Sequence, residues 1–301
     1  MINQSKKSYS YCPFCSKPLS FNLDDTSNIH TCPVCNSPIK VNFSQDKSEA
    51  RIVNNIIGFS FEKNGFFVEN GVLIKYDGKQ TDITIPQDVV SIGKNVFKNN
   101  TNIKSVTFSS QVKHIQESAF ENCNFLRKIM LSKSIKTIAN CAFKDCRRIE
   151  TVSIPNSLIA AGYMIFNGCD NITECILPMD MKFLGGSPTT FCNKLRKTNI
   201  PNCVSDTSHW ICENPNLEEI IIGKNARRFP PFNTPKLSLA HFTNPNGWKV
   251  IRNLIDKEVL IPVDLLSSPK KAALTIKKLA KEGKTLINET NDYTFDYYLE
   301  I

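Results

Sequence analysis

The sequence predicts a repeat solenoid of short parallel strands, preceded by a small four-cysteine metal module and followed by a partly helical C-terminal region. Three observations predict it. Phe97, Phe120, Phe143 and Phe166 recur every 23 residues, each inside the same set of apolar positions. Cys12, Cys15, Cys32 and Cys35 form two CxxC pairs near the N terminus. After Gly223 the period dissolves into a Pro- and Asn-rich passage that leads to a Lys-rich amphipathic stretch. A unit of 23 residues is too small to bury a core alone, so its copies must pack on one another.

Residues 1–45 are expected to hold one structural zinc ion. Each CxxC presents two sulfurs from a tight turn, and the residues between the pairs can return as a hairpin, so four thiolates can meet one tetrahedral Zn(II). The segments YCPFCSKPLSF and HTCPVCNSPIKV are near copies, and the whole resembles a zinc ribbon. A redox dithiol pair and two separate disulfides are the alternatives. His30 lies two residues before Cys32 and reads as a strand residue, because four cysteines already complete the site. Four sulfur ligands leave no open position for water or substrate, which makes the metal structural. A module this small has little apolar core, so zinc should supply much of its folding free energy.

Residues 46–60 read as a linker and 61–230 as the solenoid. Asn70-Gly71, between FFVE and VLIKY, is a two-residue hairpin signal and marks an N-terminal cap. Counting from each Phe, apolar residues return at plus 6 (Ile103, Leu126, Ile149, Ile172), plus 9 (Val106, Ile129, Val152) and plus 11 (Phe108, Leu131, Ile154, Leu177). The plus 9 and plus 11 positions alternate as in a strand. Plus 15 (Val112, Ile135, Leu158, Met181) and plus 18 (Ile115, Ile138, Ala161, Leu184) are apolar too, on what reads as an irregular or helical return arm. Ile83, Ile85, Val89 and Ile92 fit an earlier copy, and two degraded copies follow, the first with Thr189 in the Phe slot. About seven strands at a separation of about 4.8 Å give an array about 30 Å long.

ITIPQDVVSIGKNVFKNNTNIKSVTF, HIQESAFENCNFLRKIML and TIANCAFKDCRRIETVSIP resemble the BspA-like class of leucine-rich repeat, with its Ala-Phe, Cys, Leu and Ile-x-Ile-Pro landmarks. FFVENGVLIKYDG is similar to that family's usual entry, and the resemblance covers about residues 61 to 225. It implies a curved solenoid that binds other macromolecules, usually proteins, and implies no catalytic residues. Members of the class are often secreted or surface-attached.

If plus 6, 9 and 11 point inward, then plus 7, 8, 10, 12 and 13 point out and form the recognition face. The candidate partner-binding residues on it are Lys104, Arg127, Lys128, Lys133, Glu150, Glu174, Arg196 and Lys197. Their charge is zoned: basic, acidic, basic again, then acidic at Glu218 and Glu219. Such zoning suits a protein with complementary stripes better than a uniform phosphate backbone. A solvated face that only confers solubility is the competing reading.

Residues 231–301 are expected to cap the open end, with Phe242 and Trp248 over the last core layer. A helix should start with Ser268 as N-cap and Pro269 at its first position, and stop at Gly283. Ala273, Ile276, Leu279 and Ala280 would form its apolar face, and Lys270, Lys271, Lys277, Lys278, Lys281 and Lys284 the remainder. Such a helix either packs on its own domain or binds nucleic acid or an anionic surface.

With 12 cysteines, the compartment matters. Cys123, Cys146, Cys169 and Cys192 form a ladder at plus 3, which reads as buried reduced thiols rather than a disulfide series. The N terminus has two lysines but no apolar stretch of a signal peptide behind them, and no run is long enough for an ordinary transmembrane helix. A cytoplasmic location is expected. Net charge is +9, or +7 with four zinc-bound thiolates, compatible with an acidic partner or nucleic acid, but the 37 basic residues are spread over the chain. There is no phosphate-binding Gly loop, HExxH or GxSxG, and His30, His114, His209 and His241 lie far apart. The chain is expected to be a non-enzymatic protein-interaction module, with nucleic-acid binding through the ribbon and the lysine-rich helix as the alternative.

Overall fold

The repeat closes into two parallel ladders that enclose the apolar columns between them, the first reaching Leu239–Phe242 and the second Phe183–Leu184 among the described residues. The computed structural model describes residues 7–11, 18–22, 29–31, 33, 38–43, 50–52, 60–207, 214–229, 234–251 and 259–288. The first ladder begins with Asp82–Thr84, Ser105–Thr107, Lys128–Met130 and Thr151–Val152, joined in one sheet. It resumes with Glu174–Cys175, Lys197–Ile200, Glu219–Ile222 and Leu239–Phe242 in a second sheet. Equivalent repeat positions pair: Asp82, Ser105, Lys128 and Thr151 share one register line, and so do Glu174, Lys197, Glu219 and Leu239.

The return arm is a second strand, not a helix. Ser91–Ile92, His114–Ile115, Thr137–Ile138, Ala160–Ala161 and Phe183–Leu184 pair in parallel as the second ladder. Two residues per rung are too few to show the alternation of a strand, although their second residues, Ile115, Ile138, Ala161 and Leu184, are the plus 18 column. At its start this ladder runs into the antiparallel strands Ser60–Lys63, Phe66–Glu69 and Val72–Tyr76. Asn70 and Gly71 turn the second of these hairpins with φ of 51° and 75°, as their types predict. Asn64-Gly65, with φ of 54° and 81°, turns the first.

Between the two ladders each unit makes a tight turn around its Phe. Residues two before and two after the Phe slot adopt left-handed backbone in five successive units: Asn95 and Asn99, Ser118 and Asn122, Cys141 and Asp145, Met164 and Gly168, Ser187 and Phe191. The turn places the Phe rings in register. Phe97, Phe120, Phe143 and Phe166 stack with centroid distances of 4.6, 5.1 and 5.4 Å and interplanar angles of 10–11°. Tyr76 and Phe66 of the entry hairpin close the N-terminal end of this stack. Each ladder cysteine then donates its thiol to the carbonyl of the Phe one unit earlier: Cys123 to Phe97, Cys146 to Phe120, Cys169 to Phe143 and Cys192 to Phe166, at 2.9–3.1 Å. All four sulfurs are buried and free of disulfides.

At the C-terminal end Leu239–Phe242 extends the first ladder past residue 230 by parallel pairing with Glu219–Ile222. Helix Pro269–Lys281 packs against that strand and against the short helix Val263–Ser267. Its buried residues are Ala272, Ala273, Ile276 and Leu279, with Ala280 only half-buried. The Ser268 hydroxyl makes no cap bond; its carbonyl accepts from Ala272 N–H at 2.8 Å. A four-stranded antiparallel sheet of Arg228–Phe229, Thr285–Asn288, Trp248–Ile251 and Val259–Leu260 completes the end. Trp248 is fully buried, packs edge-on to Phe242 at 5.1 Å and donates to Asn244 O.

Among residues 7–52, Lys7–Tyr11 pairs with Pro18–Asn22, and Ile29–Thr31 with Pro38–Phe43. Each CxxC therefore falls in the connection of its own hairpin, and strands Pro18–Asn22 and Ile29–Thr31 are not paired with each other. Cys12, Cys15, Cys32 and Cys35 themselves lie outside the described residues. Strand Ala50–Ile52 adds to Pro38–Phe43, inside the segment expected as a linker.

Candidate interaction face

The outward columns of the first ladder are set by its parallel register, which repeats each position one rung further on. Positions plus 7 and plus 8 face solvent: Lys104, Arg127, Lys128, Glu150 and Glu174 are exposed, and so is Lys133 beyond its strand. Arg196 is exposed and Lys197 half-buried. Plus 12 does not behave as expected, because Ser109 and Pro201 are buried and Ser132, Pro155 and Pro178 half-buried. The chain bends inward there to begin the second ladder, which takes this position off the face.

Ion pairing divides the eight candidates. The Arg196 guanidinium meets Glu218 at 2.9 Å and the Lys197 ammonium meets Glu219 at 3.2 Å, each across one rung. The last basic and acidic zones thus neutralise each other. Among the described residues, Lys104, Arg127, Lys128, Lys133, Glu150 and Glu174 form no ion pair within 4.0 Å. The field that remains is a basic stripe over the early rungs, followed by carboxylates on the next two.

Met130, at the outward plus 10 position that the repeat assigns to the face, is 46% exposed, and Ile176, two rungs further along the same column, is half-buried. Other hydrophobic groups reach the surface where the repeat gives no reason to expect them. At the turns, Phe125, Tyr163, Met164 and Phe191 are 38–47% exposed. Phe125 lies under the Arg148 guanidinium at 4.7 Å. Met164 and Phe191 occupy left-handed turn positions: the Met164 slot holds Asn95, Ser118, Cys141 and Ser187 in other units, and the Phe191 slot holds Asn99, Asn122, Asp145 and Gly168. A bulky residue in a slot that costs it backbone strain is the one signal by which sequence reading could have found them.

His114 lies between the outward strand and the return arm, where an exposed turn residue is expected, yet it is fully buried in the second ladder, 2.9 Å from the Thr137 hydroxyl through Nδ1. His241 lies 3.3 Å from the Glu219 carboxylate. The ladder thiols are chemically quiet. Burial pushes Cys146, Cys169 and Cys192 well above the ordinary thiol value, and pushes Cys175 up to about 12. Neutral thiols in a dry column are poor nucleophiles and poor metal ligands. Among the described residues no group of three or more His, Cys, Asp or Glu is placed to hold a metal ion, and no helix is long and apolar enough to cross a membrane.

Residues 74–187 and 125–231 match the model of the BspA type leucine rich repeat region, which has six copies. No curated protein matches the chain. Among solved structures, the leucine-rich repeat protein of T. pallidum aligns at 20% identity and a TM-score of 0.46, over 62% of this chain and 82% of that one. A leucine-rich repeat protein from Bacteroides ovatus aligns at 23% identity and a TM-score of 0.46, over 63% of this chain and 47% of that one. A leucine-rich cell surface protein from Faecalibacterium prausnitzii aligns at 18% identity and a TM-score of 0.34, over 73% and 78%.

Proposed function

Because the chain belongs to the BspA-type leucine-rich repeat family, we propose that it is a non-enzymatic, cytoplasmic protein-interaction module that binds a protein partner on the first ladder. The observation that carries this reading is the pair of adjacent charge zones on one rigid face, basic at Lys104, Arg127 and Lys128 and acidic at Glu150 and Glu174, left without internal ion pairs among the described residues. A groups-in-register surface of this kind is preorganised, so little ordering cost is paid on binding. Free thiols at every ladder cysteine support a reducing compartment.

A photo-crosslinking amino acid placed at Arg127 or Glu174 in the native cell tests the reading. The same protein partner should be captured from both positions, and not from Lys182, an exposed residue that leads into the second ladder. Purification that enriches no protein, with and without nuclease, overturns it.

Residues 1–45 serve in this proposal as a zinc ribbon and second docking element, with 46–60 as linker, 61–230 as solenoid and 231–301 as cap and helix. Cys12, Cys15, Cys32 and Cys35 would hold one structural Zn(II). Placement of each CxxC between the paired strands of a hairpin supports this, since that is where a knuckle can aim two sulfurs at one ion. Metal analysis should give about one Zn per chain, lost when Cys12 and Cys15 are changed to Ser.

Nucleic-acid binding is the second reading, favoured by the exposure of Lys270, Lys271, Lys278 and Lys281 on one helix. Electrophoretic shift at low salt would reveal it, because phosphate contacts are strongest there. Absence of a shift removes it.

A further inference from the structure

We propose that the first ladder carries a socket for one apolar side chain of a protein partner, at the break between Thr151–Val152 and Glu174–Cys175, and that the partner segment bears a carboxylate on one side of this anchor and a cation on the other. The proposal rests on the protein-interaction reading above and narrows it to one place on the face.

The break is where the two four-stranded sheets fail to join. A cavity of about 240 Å³ opens there, lined by the apolar Val152, Ile154, Ile176, Leu177 and Pro178 together with the polar Ser153, Asn156 and Glu174. Register explains its shape. The outward plus 10 column runs Thr107, Met130, Ser153, Ile176, so a small residue stands between two larger apolar ones. The far wall is held from behind. Buried Asn199 accepts from Leu177 N–H and donates to Leu177 O, both at 2.8 Å, tying this residue to the following rung rather than to Ile154. The cavity is below the roughly 300–1,000 Å³ of small-molecule sites and suits a single side chain.

Charge selects the occupant. Arg127 and Lys128 lie one rung before the break, Glu150 and Glu174 flank it, and the next cations, Arg196 and Lys197, are already bound to Glu218 and Glu219. A partner carboxylate is therefore favoured toward Arg127 and Lys128, and a partner Lys or Arg toward Glu150 and Glu174. Lys128 and Glu174 are two rungs apart, about 10 Å, which an extended segment spans with charges about three residues apart. The two carboxylates repel phosphate, so a nucleic-acid strand is disfavoured at this place.

Selection of a displayed random twelve-residue peptide library on the full chain tests the proposal. The enriched peptides should share an aliphatic or aromatic residue between an acidic and a basic one. Ser153→Phe, which fills the socket, and Ile176→Asp, which makes its wall polar, should each weaken a selected synthetic peptide by about tenfold or more in fluorescence polarisation. The double variant Glu150→Lys, Glu174→Lys should prefer peptides with acidic residues on both sides. Enrichment of no peptide, equal binding to wild type and both socket variants, or displacement of the peptide by a single-stranded oligonucleotide overturns the socket. Crosslinks from Arg127 to a protein partner that persist in Ser153→Phe would leave the broader reading standing while removing this one.

Discussion

Phe120 sits where the load of the stack is greatest, with Phe97 and Phe143 against its two faces and Phe108 edge-on at 5.8 Å. Its removal leaves a void that neighbouring rungs cannot collapse into without breaking their own hydrogen bonds. Phe120→Ala should cost about 3–5 kcal/mol in guanidinium unfolding, whereas Phe125→Ala, on the exposed turn, should cost under about 1 kcal/mol. The thiols give a second residue-scale prediction. Folding holds Cys175 up to about 12, against an ordinary value of 9.0, by burying it. In the unfolded chain the thiol ionises from about pH 9 while the folded one stays protonated, so unfolding releases protons. Its contribution is fully present below that pH and is lost as pH rises toward 12, so stability should fall across this window in denaturation curves. Cys175→Ala should flatten that fall. Alkylation at pH 8 should leave the buried ladder cysteines unmodified until denaturant is added.

Elements show why the ends matter as much as the repeat. A parallel ladder has two raw edges, and the two ends are treated differently. The entry hairpin pairs Val72–Tyr76 directly with Ser91–Ile92, so backbone hydrogen bonds cover the start of the second ladder. The exit uses side chains: helix Pro269–Lys281 sets Ala272, Ala273, Ile276 and Leu279 against Leu239–Phe242. Ile276→Asp would bury a carboxylate on this apolar surface and should detach the helix. The expected readout is rapid proteolysis around residue 269 and faster amide exchange in 239–242, with exchange in 105–152 unchanged. Exchange that changes equally along the whole chain would show that cap and solenoid unfold as one unit.

At the scale of the molecule, the solenoid presents the same outward positions once per rung, in parallel register. Its N-terminal half is regular: the stacked Phe rings, thiol bonds and the first four ladder strands all keep the 23-residue step. Past the break, Asn side chains take over part of the backbone pairing, as Asn199 does at Leu177, Asn214 at Cys192 N and Asn225 at Asn202 O. This exchange lets the units vary in length, since a side chain reaches where a shifted backbone does not. Asn199, bonded to both backbone groups of Leu177, ties the first strand past the break to the following rung.

The 23-residue step, the apolar columns and the family they indicate were legible in the residues, because burial in a repeat demands the same side-chain class at the same place each time. The same logic made the Asn70-Gly71 turn and the thiol ladder readable. Tertiary structure alone decided what depends on neighbours in space. It converted the return arm into a second strand of two-residue rungs, too short for strand alternation to register. It buried His114 beside Thr137 and turned plus 12 away from solvent. It cancelled Arg196 and Lys197 against Glu218 and Glu219, and opened the ladder beside Ser153. Sequence periodicity reports which positions face inward, whereas the electrostatics and shape of the outward face arise from pairs of residues about 23 apart whose contact exists only once the rungs are stacked.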